Sequence, residues 1–150
     1  MEGRPLCTCP CTVDSIVVSA GHVPLIRRRS TPGRGTWAIV GGFINQDEKL
    51  LDGAIRELRE ETKLKVSPKV LIGSLTQQAV YDDPKRSLRG RTITHAFLFE
   101  IGLDNGKLPK VKGGDDADKA KWIPLTVFNK MQDQMFEDHY FIVRDMIDKL

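Results

Sequence analysis

Residues 13–19 alternate apolar and polar side chains in the manner of a strand with one buried face. Ala20-Gly21 then marks a turn into a second strand over residues 22–28. Pro32, Gly33 and Gly35 make residues 30–35 a loop, and residues 37–40 a short strand that is expected to stop at Gly41-Gly42. From Leu50 the apolar period lengthens to that of a helix. Leu51, Ala54, Ile55 and Leu58 form its buried stripe, with Glu57, Glu60 and Glu61 towards the edge of that stripe. Residues 70–79 and 92–101 read as longer strands and 120–123 as a short one, with a Gly-, Asp- and Lys-rich loop over 104–118. Phe136, Tyr140, Val143 and Ile147 have helical spacing and predict a last helix over 136–150. Strands enclosing a central helix, followed by another at the end, predict an α/β protein, a sandwich around a mixed sheet.

At 150 residues the chain suits one domain with a sizeable core, and 40% hydrophobic and 29% charged residues are ordinary for a soluble protein. We expect a flexible tail over residues 1–11 and the folded domain over 12–150. Cys7, Cys9 and Cys11 lie in that tail; three thiols without a nearby histidine make a poor zinc site. The first eleven residues have no signal-peptide apolar run, and no stretch is long enough to cross a bilayer, so a cytoplasmic protein with no membrane partner is expected. A net charge of +3 is too small to argue for a nucleic-acid partner. Its distribution is more informative: Arg27, Arg28, Arg29 and Arg34 form one basic group, and Lys85, Arg86, Arg89 and Arg91 another.

On a helix, Glu57, Glu60 and Glu61 would bring like charges together, which costs roughly 0.2–0.5 kcal/mol per pair. A divalent cation between them would reverse the sign, and Mg²⁺ prefers such hard oxygen ligands. The surrounding pattern, Gly42, Glu48, Arg56, Glu57, Leu58, Glu60, Glu61 and Leu64, resembles the signature box of the Nudix hydrolases. Lys63 departs from it where a glycine is usual, and Val40 stands where relatives commonly carry proline. Neither change removes a carboxylate.

The resemblance implies the Nudix fold and Mg²⁺-dependent cleavage of a nucleoside diphosphate, with Mn²⁺ able to substitute. We expect Glu57 and Glu61 to be the principal metal ligands, one helical turn apart, and Glu60 to be a further ligand or to orient the attacking water. Similarity to the family adds the Gly41 carbonyl as a ligand and Arg56 as the residue that orients the glutamates. Glu48 caps the helix or belongs to an outer metal shell. The segment from Tyr81 through Arg86, Arg89 and Arg91 to Phe97 is similar to that of Nudix domains fused to nicotinamide mononucleotide adenylyltransferase. The entry around Thr12-Val13-Asp14 and the run Phe136-Glu137-Asp138-His139-Tyr140 are similar too.

That branch implies hydrolysis of ADP-ribose to AMP and ribose 5-phosphate. Arg28, Arg86 and Arg91 are then the expected holders of phosphate or ribose oxygens. Tyr81, Trp37 and Phe43 are candidates to stack on adenine, although core packing competes for Trp37 and Phe43. Asp116, in the acidic loop, is a candidate to bind metal or accept a proton from water. His95 and His139 are possible bases, with structural roles the commoner outcome for such histidines. Other substrates stay open, notably diadenosine polyphosphates and nucleotide sugars, as does a non-catalytic sensor of ADP-ribose. The branch also suggests a homodimer.

Overall fold

The computed structural model describes residues 9–114 and 117–150, with the backbone alone at 117 and 118. Strand β1 (Cys11–Val18) turns through Ala20-Gly21 into β2 (His22–Arg28), and a loop leads to β3 (Trp37–Ala38) and β4 (Val40–Phe43). Helix α1 (Leu50–Thr62) and the short α2 (Pro68–Gly73) follow, then β5 (Leu75–Tyr81), β6 (Ile93–Glu100) and β7 (Ala117–Pro124). A single-turn α3 (Leu125–Phe128) and α4 (His139–Ile147) complete the chain.

The strands form two sheets, ordered β4-β1-β6-β5 and β3-β2-β7; β1 pairs with β6 in parallel, and the other strand pairs described are antiparallel. Alternation along β1 and β6 divides the core into two layers. Val13, Val17, Phe97 and Phe99 face Ala54, Ile55 and Leu58 of α1. Ile16, Ala96 and Leu98 face Ile142, Val143 and Met146 of α4. The mixed-sheet α/β sandwich expected from the pattern is therefore observed. No helix among the described residues is long and apolar enough to cross a membrane.

Several element boundaries differ from the expected ones. The chain does not stop pairing at Gly41-Gly42: β4 runs through both glycines, with Gly42 opposite Val13 and Gly41 opposite Asp14. The first part of the predicted 70–79 strand is helical, because Ser67 accepts a hydrogen bond from the Val70 amide and Pro68 opens the helix. Strand β7 starts before residue 120, since it pairs along the whole of β2. The last helix begins at His139 instead of 136, after Glu137 adopts a left-handed conformation with φ of 44°.

Lys63 takes the place of the usual glycine at the end of α1 with φ of 56°, and its amide donates to the Arg59 carbonyl. The helix end is further tied by Thr62 Oγ1, which donates to the Leu58 carbonyl, and by the Lys112 amide, which donates to that of Thr62. Leu64 is buried behind this turn.

Candidate active site

Ile39 is the residue at which the chain crosses from β3 in one sheet to β4 in the other. The crossing opens a cleft of about 460 Å³, within the usual range for small-molecule sites. Its acidic end is formed by Gly41, Gly42, Glu57 and Glu61. Asp14 lies against Gly41, and the rest of the lining includes Arg28, Arg89, Phe43, Phe136 and His139.

The acidic end follows from the close packing of α1 on β4. A Cβ on Gly42 would lie 2.7 Å from the Glu57 carboxyl carbon, and one on Gly41 would collide with the Val13 carbonyl and the Asp14 carboxylate. Only glycine lets the helix and β1 approach this backbone so closely. Arg56 organises the acids: its guanidinium pairs with Glu48 at 2.6 Å, Glu57 at 2.9 Å and Glu60 at 3.2 Å. That pairing holds the Glu48 carboxyl below its ordinary range and raises the Arg56 pKa. Glu48 also accepts the Asn45 amide and gives α1 no side-chain cap, so it serves as the anchor of Arg56.

The three box carboxylates do not converge. Glu57 and Glu61 line the cleft, and Glu61 is only 6% exposed. Glu60 leaves half its side chain in solvent and lies along a shallow surface with Asp52 and Arg59, outside the cleft. Among the described residues no three acidic, histidine or cysteine side chains form a ready-made metal cluster. The donor set at the acidic end, two carboxylates beside glycine backbone, nevertheless suits a hard divalent cation, and a carboxylate as buried as Glu61 calls for compensating positive charge.

The expected substrate residues separate in the same way. Arg28 and Phe43 reach the cleft. Arg86 does not: it is 4% exposed and grips Asp138 through two bonds of 2.8 and 2.9 Å, with a third to the Thr92 carbonyl. The Tyr81 hydroxyl donates to Asp145 on α4 at 2.6 Å, and burial with that partner raises its pKa. Trp37 packs with the α4-side core, and Arg91 is exposed and is not among the cleft-lining residues. His95 stacks on Phe97 at 5.3 Å. Asp116 and Cys7 lie outside the described residues.

The structure brings in Arg89 and Asp14, which the pattern left unassigned, and places the expected Arg28 and His139 beside them. Arg89 replaces Arg86 and Arg91 at the cleft, its guanidinium 5.3 Å from the Phe43 ring centre and 5.5 Å from that of Phe136. Arg28 lies over Phe136 at 4.0 Å and donates to the Pro32 carbonyl. Asp14 is buried and accepts a 2.5 Å hydrogen bond from Thr94. Burial pushes its carboxyl up to about 6, against the opposing pull of that bond and of Arg86 and Arg89. His139 is driven down to about 3, first by burial and then by Arg86, Arg89 and Arg28. All of these sit in the segments that carried the branch resemblance, but nothing in their spacing said which would face a cavity.

A NUDIX domain model matches residues 11–146. The chain is 34% identical over 133 residues to an ADP-ribose pyrophosphatase of Methanocaldococcus jannaschii, covering 89% of this chain and 70% of that one. It is 29% identical over 137 residues to an ADPR responsive transcriptional repressor NtrR of Acinetobacter baylyi, covering 90% and 50%. A bifunctional NMN adenylyltransferase/ADP ribose pyrophosphatase of Francisella tularensis, complexed with AMP and a manganese ion, superposes with a TM-score of 0.91 at 36% identity. The match covers 97% of this chain and 43% of that protein, so the present chain corresponds to less than half of it. With the family match spanning nearly the whole fold and Glu57 and Glu61 of the box in its cleft, this chain belongs to the NUDIX family.

Proposed function

We propose that this chain hydrolyses the diphosphate of ADP-ribose, giving AMP and ribose 5-phosphate with one water consumed. The observation that carries the reading is that a single cleft joins the carboxylates of Glu57 and Glu61 to a wall bearing Arg28, Arg89, Phe43 and Phe136. Similarity to pyrophosphatases named for ADP-ribose supports this choice of substrate.

Divalent-cation chemistry is general in the family, and Mg²⁺ is our choice, with Mn²⁺ able to replace it. Glu57, Glu61 and the Gly41 carbonyl would hold the cation, which when bound neutralises diphosphate charge and makes water more acidic. The chain's own contribution is to place charge. Arg56 fixes Glu57 through its bond to Oε1, and Glu48 fixes Arg56. Arg89 and Arg28 offer planar donors to phosphate oxygens, and the exposed face of Phe43 offers a surface for a base. Glu60 and Asp116 are kept as proposals for orienting or deprotonating water.

The test is phosphate release from a panel of ADP-ribose, diadenosine polyphosphates and nucleotide sugars, with a coupled phosphatase and Mg²⁺ compared with Mn²⁺. Preferred turnover of ADP-ribose supports the reading; equal or better turnover of diadenosine polyphosphates overturns it. Similarity to a repressor named for its response to ADP-ribose favours one further reading, a ligand sensor. Tight ADP-ribose binding with no cation-dependent turnover would establish that alternative. We further propose a cytoplasmic homodimer, to be tested by sedimentation.

A further inference from the structure

His139 opens α4 and serves the crossover between the two sheets. Its Nδ1 accepts the amide of Ile39 at 3.0 Å. Ile39 lies between β3 and β4, in neither strand, so the imidazole gives its buried amide the acceptor that a neighbouring strand would otherwise supply. A neutral imidazole that accepts at Nδ1 carries its proton on Nε2. The surroundings keep it neutral: burial is reinforced by the positive charges of Arg86, Arg89 and Arg28, and the pKa falls to about 3.

The remaining N–H belongs to a residue that lines the cleft, and among the described residues Nε2 meets no acceptor. The ring stands edge-on to Phe136 at 5.1 Å, with an interplanar angle of 87°. The same Phe136 ring carries Arg28 and Arg89. One aromatic side chain thus gathers two guanidinium groups and an imidazole ring among the residues that line the cavity.

We propose that His139 is a substrate-binding residue whose Nε2–H donates to a phosphoryl oxygen of the nucleoside diphosphate held by Arg28 and Arg89. The proposal rests on the diphosphate reading above. An uncharged donor suits this position. It satisfies an oxygen lone pair without a further cation beside two arginines, and its proton is retained across the neutral pH range. The bond to Ile39 also ties the donor to the backbone leading into Gly41-Gly42, so the wall and the acidic end are held in one register.

The experiment compares His139→Asn with His139→Gln. An Asn amide reaches the position of Nδ1 and can keep the Ile39 bond, but leaves no donor where Nε2 stood. A Gln amide reaches the Nε2 position. Binding of inorganic pyrophosphate and of ADP-ribose is measured by calorimetry in EDTA, beside Tm and steady-state kinetics. We expect His139→Asn to weaken both ligands about tenfold, as loss of a hydrogen bond to a charged group does, with KM raised more than kcat is lowered. His139→Gln should recover at least half of that loss. Pyrophosphate binding by His139→Asn within twofold of the parent overturns the proposal. So does an equal loss in both variants that tracks a fall in Tm, because that is the mark of the Ile39 bond alone. Failure of the unmodified chain to hydrolyse ADP-ribose with any cation would overturn the functional reading, while the pyrophosphate arm still decides the role of His139.

Discussion

Arg86→Leu separates two roles that one arginine in this segment can have. As a substrate ligand, Arg86 would matter to KM and little to stability. The structure instead seals its guanidinium against Asp138, with the side chain 4% exposed and Asp138 27% exposed. Removing one partner of a buried pair costs about 3–5 kcal/mol because the other charge is stranded. Water reaches the carboxylate of Asp138, so part of that penalty is recovered and we expect about 3 kcal/mol. For a chain of this size that is a fall of roughly 6–12 °C in Tm.

Urea denaturation of Arg86→Leu, Asp138→Asn and the double variant checks the figure, with a coupling energy of about 2 kcal/mol expected from the cycle. KM should rise only as a consequence, because Glu137 holds the same loop through Ser87 and Leu88 and so positions Arg89. A loss under about 1 kcal/mol, accompanied by a large rise in KM, would refute the assignment and return Arg86 to the substrate.

Other outcomes follow from the same geometry. Glu61→Gln should lower cation-dependent turnover roughly a hundredfold or more with Tm preserved, since it removes charge at the reacting diphosphate; near-parent rates would reassign the chemistry. Gly41→Ala should cost about 2 kcal/mol, because its Cβ strikes the Val13 backbone. Gly42→Ala meets first the movable Glu57 carboxyl and should mainly weaken Mn²⁺ binding, which thermal shift with and without Mn²⁺ distinguishes. Lys63→Gly should stabilise by about 0.5–1 kcal/mol in urea titrations, relieving a left-handed lysine. His139 and Asp14 act on stability in opposite senses with pH. With its folded pKa depressed to about 3 from 6.5, His139 removes stability as pH falls below 6.5. With its folded pKa raised to about 6 from 3.8, Asp14 removes stability as pH rises through that window. Between these limits Asp14→Asn should therefore lose Tm on acidification more steeply than the parent, and His139→Gln should gain it.

What the sequence determined alone is local or periodic. The 3.6-residue stripe of Leu51, Ala54, Ile55 and Leu58 announces α1, because a helix buries one face and that face has a fixed period. The shared face of Glu57, Glu60 and Glu61 was legible for the same reason, since three- and four-residue spacing fixes neighbours on a helix, whereas the role of Arg56 came from the resemblance to the Nudix box. The pairing of Gly41 and Gly42 within β4 was not, since glycines read as a stop unless one knows that Glu57 and Val13 press against them. The sequence equally could not say that Glu60 turns to solvent while Glu57 and Glu61 enter the cleft, because that depends on where β4 packs against α1.

The choice among Arg86, Arg89 and Arg91 was likewise tertiary. It depends on where Glu137 and Asp138, about fifty residues further on, meet the loop. Periodicity reports which face of an element is buried, whereas a cleft forms where faces of different elements part. In this chain that place is the single residue Ile39 between two sheets, and only the folded structure brings His139 to it.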